Sequence, residues 1–309
     1  MANDSLINTQ GKNVMLNRTY TENINLSATQ YLAATKFRAG ILNSTPLISK
    51  TKLDYEIPIS NGTVNDDGSN TMTGSSGGDN STDNVVTFKE GGGASDVTAQ
   101  NLIANDTSAS KIWTIANLAA LGTKITATKP FGLWLYIINA AALAKFLVSG
   151  TALEIRLGSD ASNYYSKTFE FADLAVGWNW ITSNAVNVED LTESGTVSGD
   201  IDTFVIVITT NNSTDEFASA DIIYDLLRQW AVSDLGKDFS TGYPTFDYVN
   251  NEVTLRCYVN VAEANGFLIN SLGTYNEDTS PLMTEEDTYE AESKSSSDEF
   301  IFIIKDRIL

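Results

Sequence analysis

Histidine is absent from all 309 residues, and cysteine occurs once, at Cys257. Without an imidazole there is no Ser-His-Asp or Cys-His relay and no His-ligated zinc. Nor is there any side chain whose ordinary pKa lies near neutrality. Chemistry is left to carboxylates, lysines and aromatic rings. A carboxylate pair can run glycoside hydrolysis without histidine. Yet among the 39 Asp and Glu residues no pair is marked out by its setting, and the chain reads as non-enzymatic. The aromatic candidates are more specific. Trp178 and Trp180 flank Asn179, so a strand there turns both rings to one face. Tyr164 and Tyr165 follow a polar loop, Gly158 to Asn163, and alternation leaves one of them facing solvent. Rings of this kind stack on sugar faces, with polar neighbours fixing orientation. Tyr164, Tyr165 and Trp180 are therefore the candidate glycan-binding residues, set against the plain alternative that the tryptophans fill a core.

Net charge bounds the partners. At −20, with pI near 4.2, the chain lacks the basic face a duplex nucleic-acid binder needs. Anionic membrane surfaces are disfavoured for the same reason. No apolar run reaches membrane-spanning length. The opening MANDSLINTQGKN lacks the charged and then apolar run of a secretion signal. One cysteine cannot close an intrachain disulfide, and Cys257, within an alternating strand pattern, reads as a small core residue.

The elements that must position these residues are strands. Leu133 to Ile138 and Phe204 to Ile208 are continuous apolar runs, as in strands covered on both faces. Leu153 to Leu157 alternates, as a half-exposed strand should. Val85 to Phe88 opens this β block, Ile222 to Leu226 closes it, and Ala140 to Val148 reads as its one short helix. Many short strands spaced by turns predict a β-sandwich. Residues 61–84 are dominated by Gly, Ser, Asn and Asp and read as a linker, as do residues 233–247. After the second linker come the alternating strand Val253 to Val261, the turn Asn265-Gly266, and a terminal apolar strand, Phe300 to Ile304. That last strand needs a partner sheet or a neighbouring subunit.

The organisation expected is an N-terminal arm over 1–19, an outer β-domain in two parts (20–60 and 248–309), and a block at 85–232 inserted between the linkers. The fold class is all-β: a discontinuous outer β-sandwich with an inserted jelly-roll β-sandwich. Residues 30–59 are too few to fold alone, so they must pair with 248–309.

Two stretches resemble known families. Glu263-Ala264-Asn265-Gly266, followed by Ser293-Lys294 before the last strand, resembles a module of tailed-virus tail and fibre proteins. The stretch Lys36 to Gly40, with Leu53 to Ile59, looks like that module's opening strands. Asn270-Ser271 departs from its usual acidic turn. The middle block resembles the carbohydrate-binding-module type of jelly roll. The resemblance is carried by Lys89-Glu90-Gly91, Leu157-Gly158-Ser159-Asp160, Asn163-Tyr164-Tyr165, Gly177-Trp178-Asn179-Trp180 and Asp225. It implies that the first and last strands of the block are adjacent and that Glu90 and Asp225 hold a structural calcium. It also implies that the Gly-Trp-Asn tryptophan serves packing.

Together these resemblances imply a virion structural protein of the tail, fibre or capsid-decoration kind, located in the particle. Its outer domain would assemble with other virion proteins and with further copies of itself, and its jelly roll would be displayed for host glycan attachment. The alternative is a secreted or cell-surface microbial glycan-binding module without catalytic activity.

Overall fold

The computed structural model describes residues 24–26, 29–31, 34–41, 53, 55–60, 63–89, 98–116, 118, 130–183, 191–197, 201–276 and 284–307. The expected arm at 1–19 lies outside them. The fold is all-β, built from antiparallel sheets, with one short α-helix, α1 (Ala140–Leu143), and two single-turn 3-10 helices among the described residues. The chain divides into two compact units, one comprising 1–61 and 232–309, the other 62–231.

The first unit begins with β1 (Ile24–Leu26), β2 (Thr29–Tyr31), β3 (Lys36–Ile41) and β4 (Tyr55–Ile57). The second unit then supplies β5 (Thr63–Asp66), β6 (Thr73–Ser76), β7 (Thr82–Asn84), β8 (Ala99–Asn101), β9 (Ser110–Ile115) and β10 (Phe131–Ile137). After α1 it continues with β11 (Thr151–Gly158), β12 (Tyr164–Glu170), β13 (Gly177–Thr182), β14 (Thr192–Ser194), β15 (Thr203–Thr209) and β16 (Ile222–Gln229). The first unit is completed by β17 (Gly236–Asp238), β18 (Thr245–Asp247), β19 (Glu252–Val259), β20 (Leu268–Tyr275), β21 (Thr284–Ser293) and β22 (Phe300–Arg307).

Unit 62–231 is a sandwich of two six-stranded sheets. One has the order β13-β10-β16-β8-β7, with β5 also on β16; the other runs β14-β12-β11-β15-β9-β6. Their facing side chains make one core. Leu133, Leu135 and Ile137 of β10 meet Leu153, Ile155 and Leu157 of β11 and Phe204, Ile206 and Ile208 of β15. The period of two in these strands sends alternate residues inward. Burial of each such side chain is worth about 1.5–3 kcal/mol.

The stretch 61–84, expected as a linker, is part of this sandwich and carries β5, β6 and β7. Its composition misleads because, Met72 apart, it is tied in by backbone ladders to β16, β9 and β8 and by polar side chains rather than by apolar burial. The Ser81 hydroxyl donates to Gln100 Oε1 at 2.7 Å and accepts from the Met72 amide at 2.7 Å. Gln100 Nε2 donates to Gly68 O at 2.8 Å and to Asp83 Oδ1 at 2.9 Å. Asn84 Nδ2 donates to Asn101 Oδ1 at 2.9 Å. Val85 to Phe88 is accordingly not the opening strand. Asn84 Oδ1 accepts from the amides of Val86 and Thr87, each at 2.9 Å, and turns the chain there, leaving Val85 and Val86 exposed. The helix is also shorter than its composition predicts. Asn139 caps it, accepting from the Ala142 amide at 2.9 Å, and by Phe146 the chain bridges to Thr210 in the β15 sheet.

In the first unit β3 pairs with β20 across the chain, from Lys36 opposite Tyr275 to Gly40 opposite Ser271. The full sheet runs β17-β3-β20-β21, with β4 on β3; a second sheet runs β18-β19-β22. The expected linker 233–247 is structured as well: β17 adds to β3 and β18 to β19. A buried polar cluster ties the N-terminal and C-terminal parts of the unit together. Arg38 Nη1 lies 3.1 Å from Glu56 Oε2, the Tyr275 hydroxyl donates to Glu56 Oε1 at 2.7 Å, and the Arg38 guanidinium sits 4.2 Å above the Tyr275 ring.

Candidate functional site

β10 and β13 pair with Trp134 opposite Trp180 and Tyr136 opposite Trp178. Their odd-numbered neighbours face the core, so all four rings lie on the opposite face of that sheet. Trp180 packs at 5.1 Å from Trp134 and stacks at 5.8 Å on Trp230. Gly132 lies beneath it, where a Cβ would come within 2.3 Å of the indole, so only glycine fits. Trp180 is 4% exposed. It is a packing residue, and its expected place in a glycan surface is corrected accordingly: a buried ring offers no face to a sugar. Trp178 and Tyr136 are half-buried and lie 5.2 Å apart. Lys89 Nζ lies 4.2 Å above the Trp134 ring and 5.9 Å from that of Trp178. The half-open aromatic pair on this face is thus Trp178 with Tyr136. Its signal in the sequence was the shared parity of Trp134 and Tyr136, hidden within a run that reads as wholly buried.

The two tyrosines part company, as alternation requires. Tyr165 packs against the sandwich core. Tyr164 faces the other way, half-buried, with the Arg156 guanidinium 4.7 Å above its ring. Glu154 holds Arg156 in place through a 2.7 Å ion pair. The neighbouring loop is ordered by Asp160, which accepts from the Ser162 amide at 2.7 Å and from Asn163 Nδ2 at 2.8 Å. Those bonds favour the ionised form and hold its carboxyl below the usual range.

Asp225, on β16 opposite Trp134, is fully buried, and its Oδ2 accepts from the Lys89 amide at 2.6 Å. A Cβ on Gly68 would lie 2.7 Å from Asp225 Oδ1 and 2.6 Å from Thr98 O, so a carboxylate and a carbonyl oxygen converge at this glycine. All-oxygen donors of this kind suit calcium. Glu90, the other expected ligand, lies outside the described residues. Among the described residues there is no group of three or more His, Cys, Asp or Glu placed to hold a metal.

A second buried acid in this unit was not anticipated. Asp66 accepts from the Tyr224 hydroxyl at 2.7 Å and from Asn70 Nδ2 at 2.6 Å. Burial pushes its carboxyl up despite these bonds.

In the other unit, the stretch Glu263 to Gly266 meets Lys294 from the far end of the next hairpin. Lys294 Nζ donates to Asn265 Oδ1 at 2.9 Å, and the Gly266 amide donates to Lys294 O at 2.8 Å. Glu263 pairs with Lys237 at 2.6 Å and accepts from the Asn260 amide at 2.8 Å. Ala264 is buried with φ 50°, and its amide donates to Ile59 O at 2.9 Å. Gly266 turns at φ 84°. This knot fastens the start of β20 to the end of β21 and to Ile59, two residues past β4. Lys294 is buried, and desolvation lowers its pKa. No protein-family model matches the chain, and no curated protein matches it.

Proposed function

We propose that this chain is a non-enzymatic structural component of a tailed-virus particle, in a tail, fibre or capsid-decoration position. The observation that carries the reading is the knot of Glu263 to Gly266 with Lys294. The residues by which the sequence resembles a tail module are the ones that close the discontinuous unit. In this reading that unit assembles with other virion proteins and with further copies of the chain, and unit 62–231 is the displayed part. Three of the pairs described above support a structural role, since they are internal: Arg38 with Glu56, Asp66 with Tyr224, Lys237 with Glu263. Immunogold electron microscopy of particles from a producing culture tests this. Label at regular positions on the particles is expected; label confined to cells or to soluble protein overturns it.

Display for attachment to host glycans is the second element of the proposal. It is supported by the half-buried Trp178 and Tyr136 pair and by Tyr164 under Arg156. Single sites of this size bind weakly, and many copies raise avidity through effective concentration. A glycan array probed with multimerised protein should show binding that falls with Trp178→Ala or Tyr164→Ala. Absence of binding in multivalent form removes this element and leaves the structural one. A structural calcium held by Asp225 and Glu90 belongs to the same proposal, supported by the carboxylate and carbonyl oxygens that converge at Gly68.

A further inference from the structure

In the described part of the first unit, β22 is an edge strand. Among the described residues its one partner strand is β19, from Val259 opposite Phe300 to Glu252 opposite Arg307. Eight residues make a long edge, and native proteins normally blunt such edges with proline, bulges or charge. Here the middle of the strand is Ile301-Phe302-Ile303-Ile304. Alternation sorts its two faces. Ile304 is buried and Phe302 half-buried, whereas Glu299, Ile301, Ile303 and Lys305 are all exposed, the two isoleucines at 51% and 49%.

The exposed stripe is self-complementary on reversal. An antiparallel second copy, related by a two-fold axis at Phe302, sets Ile301 opposite Ile303 and Glu299 opposite Lys305, each twice. Shifting the register by two residues either way puts an isoleucine opposite a charge. A shift by one would turn the exposed stripe against the inward face. Glu299 and Lys305 are already oriented from β19, by Tyr258 at 2.8 Å and Glu252 at 3.1 Å, and both stay exposed. Asp298, two residues before the strand and opposite Asp306 in this register, has its carboxylate folded back onto Ser295. Directly opposed unlike charges and β-branched pairs are the favourable units of an antiparallel ladder.

We propose that two copies of this chain pair antiparallel through β22, in the register Glu299 opposite Lys305 and Ile301 opposite Ile303. The pairing joins two three-stranded sheets into one of six and forms an isologous two-fold interface. It deepens the assembly reading and rests on it for the expectation of several copies, but the contact itself is a property of the chain in solution.

The test is the molar mass of the full chain by sedimentation velocity, from low to high micromolar concentration at low salt. Wild type should reach at least twice the monomer mass. Glu299→Lys alone and Lys305→Glu alone place like charges opposite one another and should return it to monomer. The double reversal restores unlike pairs and should restore association. Melting curves confirm that these exposed substitutions leave the fold intact. A wild type that stays monomeric overturns the pairing, as does an oligomer indifferent to both reversals. A double reversal that stays monomeric overturns the register. None of these outcomes bears on where immunogold label falls, so failure here and failure of the particle reading are separable.

Discussion

At the scale of single residues, the reactive groups have been turned inward or tied into turns. Cys257 is buried on the inner face of β19, and desolvation pushes its thiol up to about 12. The thiolate is the reactive form, so the folded protein at pH 8 should resist thiol reagents, while protein in denaturant reacts fully. Rapid labelling of the native chain would contradict the burial. Asp160 gives a pH signature. Its folded pKa lies below the unfolded value of ~3.9. Its stabilising contribution is therefore complete above that value and is lost as pH falls through the lower, folded one. The stability difference between wild type and Asp160→Ala, followed by denaturant unfolding, should stay constant from pH 7 to 5 and shrink below pH 4. Asp66 has the opposite sign. Its raised folded pKa favours the protonated form, so its contribution is present at low pH and is lost as pH rises through that folded value. Tyrosine parity was legible in the sequence, since adjacent residues on a strand must face opposite ways. Which tryptophan is buried was not, because that depends on Trp134 and Trp230, brought in from other strands.

At the scale of elements, β3, β4 and β20 are joined by more than their ladders. Arg38 and Glu56 are an ion pair with both side chains buried, capped by the Tyr275 hydroxyl. Removing one partner of such a pair leaves a buried charge uncompensated and costs about 3–5 kcal/mol. Glu56→Ala should therefore lower the unfolding free energy of the first unit by that amount, read as a lower denaturant midpoint at unchanged slope, and leave the second unit's transition in place. A loss below about 1 kcal/mol would mean that water reaches Arg38. The apolar strands were legible from their patterns, Leu133 to Ile138 and Val253 to Val261 above all. β5, β6 and β7 were not. β5 is held on β16 by its ladder and by Asp66 with Tyr224, β6 on β9 by its ladder, and β7 on β8 by Gln100 and Asn101; a polar strand shows its partners only once they are adjacent.

At the scale of the molecule, the second unit has its own core and its own two sheets. Residues 62–231 expressed alone should unfold cooperatively, with a melting transition matching one of two in the intact chain. A fragment beginning at Val85 lacks β5, β6 and β7 and should be less stable or should aggregate. Equal stability of the two fragments would contradict the sheet order found here. Calcium, if held at Asp225, stabilises by binding the folded state alone. Excess chelator should then lower the melting temperature of that transition and not of the other, and an unchanged curve would remove the ion from the account.

The sequence alone determined that the chain is all-β, that its first and last segments need each other, and that histidine-based chemistry is closed to it. These follow from composition and from the period of two, which a strand imposes on any chain. Only the tertiary structure decided that the Gly/Ser/Asn/Asp stretch is sandwich and not linker, that Trp180 is packing while Trp178 and Tyr136 stay half-open, and that Asn265 answers to Lys294. Each of these turns on contacts between residues distant along the chain. A buried polar side chain is stable only when its partner is in place, and no local pattern records where that partner will be.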